Sequence, residues 1–380
     1  MNREQILSYR LKQQHLSVPL PPSGLLEACE PGIQITVPGT LATSIGIRMR
    51  GFRSRDLEAA LKEKRSLVEI TGLRGAGYVI PSRDYSLFTR AVFPTTESAL
   101  QRQFGPAWSP LKTRKIAASD ALRQVTAVLL KSLKGKSLSQ DEIHAEWRKK
   151  LPEELLKHCR GCASFHLPYT VVAAAGLQGT YCFGPEKNGN TAYVLTEEWL
   201  GKDAVDPDLE SVRRKLVERY LKFHGPSTPR GFAKWAGISA AEALEFWGLV
   251  EEDLVDVGGG DDPLWLWKRN APGFASAGSP KGIHLIPPMD PFLGLSDRET
   301  LIEDKSLHSR VWRMVGNPGV LLVDGEIAAL WKSQKKGKLL RFSFEAWSRV
   351  TRPLRLRAEQ EAERVAGFRD CDQVGFEWKS

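Results

Sequence analysis

The chain has 380 residues, of which 42% are hydrophobic and 26% are charged, and this composition excludes intrinsic disorder. Its length exceeds what one hydrophobic core usually holds, so we expect two to four modules. No apolar run is long enough to cross a bilayer, and no secretory signal follows Met1. We therefore expect no membrane partner and a cytoplasmic location.

The positive charge of the chain is concentrated in its first part. The net formal charge is +9, but residues 1–150 hold 24 Lys and Arg against 13 Asp and Glu, whereas the remaining residues hold 30 against 32. The densest stretch runs from Arg102 to Lys136, where Asp120 is the single acid. Most charge runs are only solvated surfaces, but this one carries the excess of the whole chain. It predicts a polyanionic partner such as nucleic acid.

The first module, predicted over residues 1–115, has helices followed by two strands. Ser54 is a candidate N-cap, and glycines at 72, 75 and 77 separate the strands as in a hairpin. The predicted helices are 3–14, Leu25–Cys29, Thr40–Met49 and Asp56–Lys64, and the predicted strands are Leu67–Thr71 and Tyr78–Ile80.

A second and a third module, predicted over residues 116–204 and 205–272, repeat the same order. Ser139 with Glu142 forms a capping box in the second, and Thr228-Pro229 opens a helix in the third. The main predicted helices are Ser119–Leu133, Thr170–Leu177, Val212–Phe223 and Ser239–Trp247; the predicted hairpins are Thr180–Phe183 with Ala192–Leu195 and Leu249–Val257 with Leu264–Trp267. Helices followed by a hairpin are typical of winged-helix domains, which contain a helix-turn-helix.

The last module, predicted over residues 281–370, is rich in strands. Residues 271–280 are rich in Gly, Ala, Ser and Pro and are predicted to be a linker. Asp324-Gly325 is the strongest hairpin signal of the chain. The predicted strands are His284–Ile286, Val320–Val323, Ile327–Trp331 and Leu339–Phe344, followed by a helix over 353–368. The fold class predicted from the pattern is α+β, with tandem winged-helix modules before this module.

Three stretches of the sequence together resemble the winged-helix DNA glycosylases of the azinomycin-resistance type, the AlkZ and YcaQ group. Their order and spacing hold from near the N-terminus to about residue 368. The stretches are Gly32 to Pro38 with Arg50-Gly51-Phe52 and Arg74 to Tyr78; His224 to Pro229 with Trp235 to Ser239; and Leu285 to Phe292 with Asp297-Arg298 and Val323-Asp324-Gly325.

The resemblance implies three winged-helix units and a small C-terminal β-barrel-like domain around double-stranded DNA. It also implies a monofunctional DNA glycosylase that hydrolyses the N-glycosidic bond of alkylated purines, including bulky N7 adducts and crosslinks. No metal or nucleotide cofactor is expected, and a nucleoid-associated location follows from the DNA substrate. Tandem modules in one chain make the symmetry of a dimer unnecessary, so we expect a monomer.

The catalytic residues are predicted from the same resemblance. The family depends on a Gln, an apolar residue, and then Gln or Asp, whose polar side chains hold the attacking water. In this sequence Gln34 matches the first position and Thr36 stands at the second. The family usually has a histidine where this chain has Tyr78. We predict that Gln34 orients the water, with Thr36 and Tyr78 assisting; alternatively, Gln34 caps the turn at Pro31-Gly32 or satisfies a backbone group.

The candidate DNA contacts are basic residues, and some have a structural alternative. Arg74, next to Gly75, either contacts a phosphate or pairs with Glu69. In the third module, Glu242 and Glu245 would be repelled by phosphates, so contacts from the preceding helix are preferred. The predicted DNA-binding residues are Arg48, Arg50, Arg74, Lys112, Arg114, Lys115, Arg230 and Lys234.

Several other motifs have a structural interpretation that is preferred over a further catalytic or binding role. Cys159 and Cys162 could bind zinc, but a second ligand pair is missing, so ordinary buried thiols are preferred. Asp290 could act as an acid or base, or form an Asx-turn before Pro291. Trp265 and Trp267 could wedge against bases but are more often core. No phosphate-binding Gly-rich loop is present, which argues against an NTPase.

Two further classes of function stay open beside the glycosylase. One is a non-catalytic winged-helix protein, either a transcription regulator or a damage binder that has lost turnover. The feature that divides it from the glycosylase is Thr36, because threonine is shorter than Gln and cannot carry the charge of Asp. The other class is a scaffold that binds only proteins, which would have no affinity for a duplex at low salt.

Overall fold

The computed structural model describes residues 2–161, 163–187, 190–206, 208–259, 262–294, 296–347 and 350–379. The chain packs into two compact units, Met1–Leu57 with Val217–Ser380 and Glu58–Leu216, which we call the split unit and the central unit. This division is coarser than the four predicted modules, whose boundaries stay predictions. In the part of the chain described, none of the helices combines the length and the apolar character needed to span a bilayer.

The central unit combines helices with an antiparallel sheet. Its helices are Tyr85–Phe88, Glu97–Phe104, Trp108–Thr113, Ala118–Leu133, Gln140–Lys150, Tyr169–Leu177 and Thr196–Leu200. Its strands are Leu67–Thr71, Gly77–Pro81, Leu138–Ser139, Lys157–Cys159, Ser164–His166, Tyr181–Lys187 and Asn190–Leu195. The helices Ser54–Lys62 and Leu209–His224 contain the boundaries with the split unit. The capping box of Ser139 and Glu142 is present, as predicted.

The two hairpins predicted for the first and second modules are present, and they join in one sheet. Leu67–Thr71 pairs with Gly77–Pro81, and Glu69 lies opposite Phe183 of the next hairpin. The predicted turn residues Asn188 and Gly189 lie outside the described residues. Fully buried apolar residues of the helices, including Val125, Leu129 and Trp147, form the core beside this sheet.

The split unit contains both ends of the chain. Its helices are Arg3–Gln13, Leu25–Ala28, Thr40–Gly46, Pro229–Ala236, Ala240–Gly248, Ala271–Ala275, His308–Val311 and Arg352–Phe368. Its strands are Ile33–Gln34, Leu254–Asp256, Trp265–Trp267, Ile283–Ile286, Gly319–Val323, Glu326–Lys336, Leu339–Ala346 and Gln373–Lys379. Thr228-Pro229 opens its helix as predicted, Ser239 caps the next helix, and the third hairpin pairs Leu254–Asp256 with Trp265–Trp267.

The predicted linker is wrong for part of its length. Ala271–Ala275 forms a short helix, and the Phe274 ring lies edge-on against Tyr9, with 5.5 Å between ring centroids. Phe274, Tyr9 and Ile6 belong to one buried cluster. The composition concealed this anchor because a single aromatic residue fixes a stretch otherwise made of small residues and proline.

The C-terminal strands form an open five-stranded sheet, and the described strands do not close into a barrel. Ile283–Ile286, Gly319–Val323, Glu326–Lys336 and Leu339–Ala346 pair antiparallel in this order. Gln373–Lys379, which was not predicted, adds to the edge in parallel. The helix Arg352–Phe368 makes the crossover between the two parallel strands. Its alanines at 358 and 362 are fully buried, and small residues let a helix approach a sheet closely.

Candidate catalytic residues and candidate nucleic-acid interface

The segment that holds Gln34 and Thr36 lies between a two-residue strand and a helix. Gln34 ends the strand Ile33–Gln34 and is 8% exposed, whereas Thr36 is exposed. Four residues beyond Thr36, Thr40 begins a helix, and its Oγ1 donates to the carbonyl oxygen of Pro288 at 3.0 Å. The segment therefore presents one largely covered amide side chain and one open hydroxyl two residues apart.

Arg48 is buried, which corrects its prediction as a DNA contact. Its Nη1 and Nη2 each lie 2.8 Å from an oxygen of Asp290, and neither side chain is exposed to solvent. Nη2 also donates to Gln14 Oε1 at 3.0 Å, and Nη1 donates to the carbonyl oxygen of Ser44 at 2.8 Å. A phosphate cannot reach a guanidinium enclosed in this way, so Arg48 holds the fold together instead of holding DNA.

Asp290 has the structural role that was set against an acid-base role. Beside its ion pair with Arg48, its Oδ1 accepts a hydrogen bond from the backbone N–H of Phe292 at 2.9 Å. This is the turn expected of an aspartate before proline. Both carboxylate oxygens are thus engaged in the interior.

The stretches that carry the family resemblance and belong to the split unit meet through buried arginines. Arg48, which lies between two parts of the first stretch, pairs with Asp290 in the third. Arg10 donates to the carbonyl oxygen of Pro226 at 3.0 Å, in the second stretch, and to Asp297 at 2.9 Å, in the third. Segments distant in sequence are therefore held together by arginines that lie beside these motifs.

Arg74 and Tyr78 lie together in the central unit. Arg74 is exposed, has a φ of 57°, and donates from Nη2 to Tyr78 Oη at 3.2 Å. Tyr78 is 4% exposed, so its hydroxyl is held where the strand Gly77–Pro81 begins. Arg74 is thus held by Tyr78 and not by Glu69, the alternative partner. Burial, and then the charge of Glu186, raise the pKa of Glu69 to about 7.

The predicted phosphate contacts other than Arg48 lie at the surface. Arg114 is steadied by a hydrogen bond from its Nη1 to the carbonyl oxygen of Glu154 at 2.9 Å, and Arg50 follows the buried segment around Arg48. The exposed cations are Arg50, Arg74, Lys112, Arg114, Lys115, Arg230 and Lys234. In the helix after Arg230 and Lys234, Glu242 is used in a capping box with Ser239.

The structure places the tryptophan pair in a hairpin and describes one member of the cysteine pair. Trp267 is 9% exposed and Trp265 bonds through its backbone to Ser227, so both belong to the packed hairpin. Cys159 is a free thiol that is only partly buried, and Cys162 lies outside the described residues. Within the described ranges, no group of three or more His, Cys, Asp and Glu could hold a metal ion.

Comparisons with known proteins identify a family and a solved structure of similar fold. The family model of the DNA glycosylase AlkZ-like proteins matches residues 31–368. The chain belongs to the AlkZ-like DNA glycosylase family. The structure of the Streptomyces sahachiroi DNA glycosylase AlkZ is similar in fold, with a TM-score of 0.80 and 17% sequence identity over 100% of both chains. No curated protein matches the chain.

This AlkZ-like chain also has a basic hairpin that the sequence analysis missed. Five cations occupy the hairpin of Glu326–Lys336 and Leu339–Ala346, which contains no acid between Lys332 and Arg341. They are Lys332, Lys335, Lys336, Lys338 and Arg341, and all are exposed. The signal is local, and the near-neutral total of residues 151–380 concealed it.

Proposed function

We propose that the protein is a monofunctional DNA glycosylase that hydrolyses the N-glycosidic bond of alkylated purines in duplex DNA. The observation that carries the proposal is the family match over residues 31–368, which includes the segment of Gln34 and Thr36. N7-alkylation places positive charge on a purine and makes it a good leaving group. The enzyme then has to position a water and to stabilise positive charge at the sugar.

The catalytic part of the proposal assigns the water to Gln34. A glutamine amide offers both a donor and an acceptor, and a largely covered side chain is restricted in its orientation. The exposed hydroxyl of Thr36 can donate one hydrogen bond and accept others. Tyr78 is the third residue of the proposal: its oxygen accepts a hydrogen bond from Arg74, and a phenol can also donate one. None of these steps uses a metal or a nucleotide.

The binding part of the proposal assigns phosphate contacts to the exposed cations of both units. Winged-helix modules over 1–115, 116–204 and 205–272, in a monomer, would present the predicted cations to double-stranded DNA. We add the five cations of the C-terminal hairpin, because clustered exposed lysines attract a polyanion in the same way. N7 adducts and crosslinks in duplex DNA are the proposed substrates.

Thr36 favours one second candidate, a relative that binds damaged DNA without turnover. The test is release of N7-methylguanine from a duplex under single-turnover conditions, with the wild-type chain and Thr36→Gln. Release by the wild-type chain supports the glycosylase, and a faster release by Thr36→Gln would show that threonine limits the rate. Tight binding with no release by either protein would contradict the glycosylase and favour the non-catalytic binder.

A further inference from the structure

Tyr169 combines an open aromatic ring with a fixed hydroxyl. It is the first residue of the helix Tyr169–Leu177 and is 59% exposed. Its Oη donates a hydrogen bond to the carbonyl oxygen of Gly75. Burial at that end of the side chain raises the pKa of the phenol. The ring is therefore tied at its hydroxyl while much of its surface faces solvent.

The position is unusual among the aromatic side chains of the protein. In the ranges that the structure describes, the exposed large aromatic residues are Phe165 and Tyr169, at 44% and 59%. Stacking on a base requires an exposed ring face, and the tryptophans of the strand Trp265–Trp267 are more buried than Tyr169. A ring held in place while open to solvent also loses little conformational freedom when a flat ligand covers it.

Arg74 is adjacent in sequence to the residue that anchors the Tyr169 ring. Gly75, which holds the Tyr169 hydroxyl, follows the exposed Arg74 directly, and both residues have positive φ values of 70° and 57°. A side chain at Gly75 would begin 3.9 Å from Cε1 of Tyr169, so the loop approaches the ring closely. The exposed Arg74 is thus the neighbour of the residue whose carbonyl oxygen anchors the ring.

An apolar cavity of about 240 Å³ lies beside the start of the helix Tyr169–Leu177. Pro168, directly before Tyr169, lines this cavity together with Leu111 and Val171. Arg114 and Lys157 also line it, and Glu154, its acid, gives its backbone carbonyl oxygen to Arg114. An aromatic and apolar surface bordered by cations is the pattern that single-stranded or unpaired nucleic acid requires, because bases stack while phosphates are neutralised.

We propose that Tyr169 forms a base-stacking subsite, in which its ring covers a nucleobase that has lost its pairing partner in damaged DNA. The inference rests on the proposed function for its DNA partner, and it adds a residue that recognises the unpaired base. The flanking phosphates lie against Arg74 and Arg114. An enzyme that acts on a base inside a duplex has to take it out of the stack, which leaves the opposite base and its neighbours exposed.

The experiment measures binding of the full chain to two duplexes that differ at one position. One is intact, and the other carries a tetrahydrofuran abasic analogue, which has no base to release. The wild-type chain is expected to prefer the analogue, and Tyr169→Ala is expected to reduce that preference about tenfold. Tyr169→Leu, which keeps apolar bulk without an aromatic face, should behave like Tyr169→Ala, whereas Tyr169→Phe should keep most of the preference.

The matched control is Leu244→Ala, which removes a side chain of similar exposure, 61%, from the helix Ala240–Gly248. It should leave the preference unchanged. If Tyr169→Ala does not fold, the comparison of Tyr169→Leu with Tyr169→Phe decides the same question. Equal weakening of both duplexes by the Tyr169 variants, or a wild-type chain without preference, would overturn the subsite.

Failure of this inference is distinguishable from failure of the glycosylase proposal. The abasic analogue measures stacking without turnover. If the wild-type chain releases no alkylated base and Tyr169→Ala loses the preference for the abasic duplex, the glycosylase is contradicted and the subsite is supported. A chain that releases the base, with an unchanged preference in Tyr169→Ala, supports the glycosylase and overturns the subsite.

Discussion

Arg48 and Asp290 lie 242 positions apart in the sequence and form a fully buried ion pair, with both guanidinium–carboxylate distances at 2.8 Å. The pair connects the segment after the helix Thr40–Gly46 to the turn at Pro291. Thr40, at the other end of the same helix, bonds to Pro288 of the same turn. The helix that follows Gln34 and Thr36 is thus fastened at both ends to one distant segment.

Breaking this pair is expected to destabilise the protein strongly. Asp290→Ala leaves the Arg48 guanidinium buried without a counter-charge, so the free energy of unfolding should fall by about 3–5 kcal/mol. Urea denaturation measures the change. The control is Asp56→Ala, which breaks an ion pair with Arg53 whose side chains are 42% and 56% exposed, and it should cost less than about 1 kcal/mol. Similar small losses in both variants would show that the buried pair is not a major contact.

The exposed lysines of the central unit are expected to set the salt dependence of DNA binding. Changing Lys112 and Lys115 together to Gln should reduce the slope of log K against log[salt] by about 2, because each phosphate contact contributes about 0.9. Binding should weaken alike on damaged and intact duplexes, since phosphates carry no sequence or lesion information. Affinity measured from low to moderate salt gives the slope.

A matched double variant distinguishes phosphate contacts from a general loss of charge. Lys202 and Lys305 are 85% and 75% exposed and pair with Glu197 and Glu299. Changing both to Gln removes the same net charge and should leave the slope almost unchanged. Equal slopes for the two double variants would contradict specific phosphate contacts at Lys112 and Lys115.

Glu69 is expected to make the stability of the protein depend on pH. Burial, and then the charge of Glu186, raise its pKa from 4.5 to about 7 in the folded chain. The folded state therefore keeps the proton to a higher pH than the unfolded state does. The stabilising contribution of protonated Glu69 is fully present below about pH 4.5 and is lost as the pH rises through 7. The change in pKa corresponds to a loss of about 3 kcal/mol in the free energy of unfolding.

The variant Glu69→Gln isolates this effect, because its amide does not titrate. The free energy of unfolding of the wild-type chain, relative to Glu69→Gln, should decrease from pH 5 to pH 8. Urea denaturation at a series of pH values provides both curves. Parallel curves would mean that Glu69 has an ordinary carboxyl pKa in the folded chain.

Local signals in the sequence predicted the elements well. The capping box at Ser139 and the hairpin turn at Asp324-Gly325 depend on residues a few positions apart, and the structure has both. The Gln34 segment was found through a family motif, because its residue types alone do not single out catalysis. Its contribution to chemistry stays a prediction.

Distant pairings were beyond the sequence patterns. Arg48 was taken for a phosphate contact because its partner, Asp290, is remote in the chain and only the fold brings the two together. The strand Gln373–Lys379 was missed because it pairs in parallel with Leu339–Ala346 across an intervening helix. Phe274 contacts Tyr9 in a stretch whose composition indicated a linker. In each case the deciding contact has a high sequence separation.

The most direct test of the account is single-turnover release of N7-methylguanine from a duplex, comparing the wild-type chain with Gln34→Ala. Gln140→Ala, at the first position of the helix Gln140–Lys150, is the control for losing an exposed glutamine. We predict release by the wild-type chain and by the control, and a rate at least about 100-fold lower in Gln34→Ala, with duplex binding retained. Release that continues at the wild-type rate in Gln34→Ala would contradict the assignment of the water to Gln34, and no release by the wild-type chain would contradict the glycosylase itself.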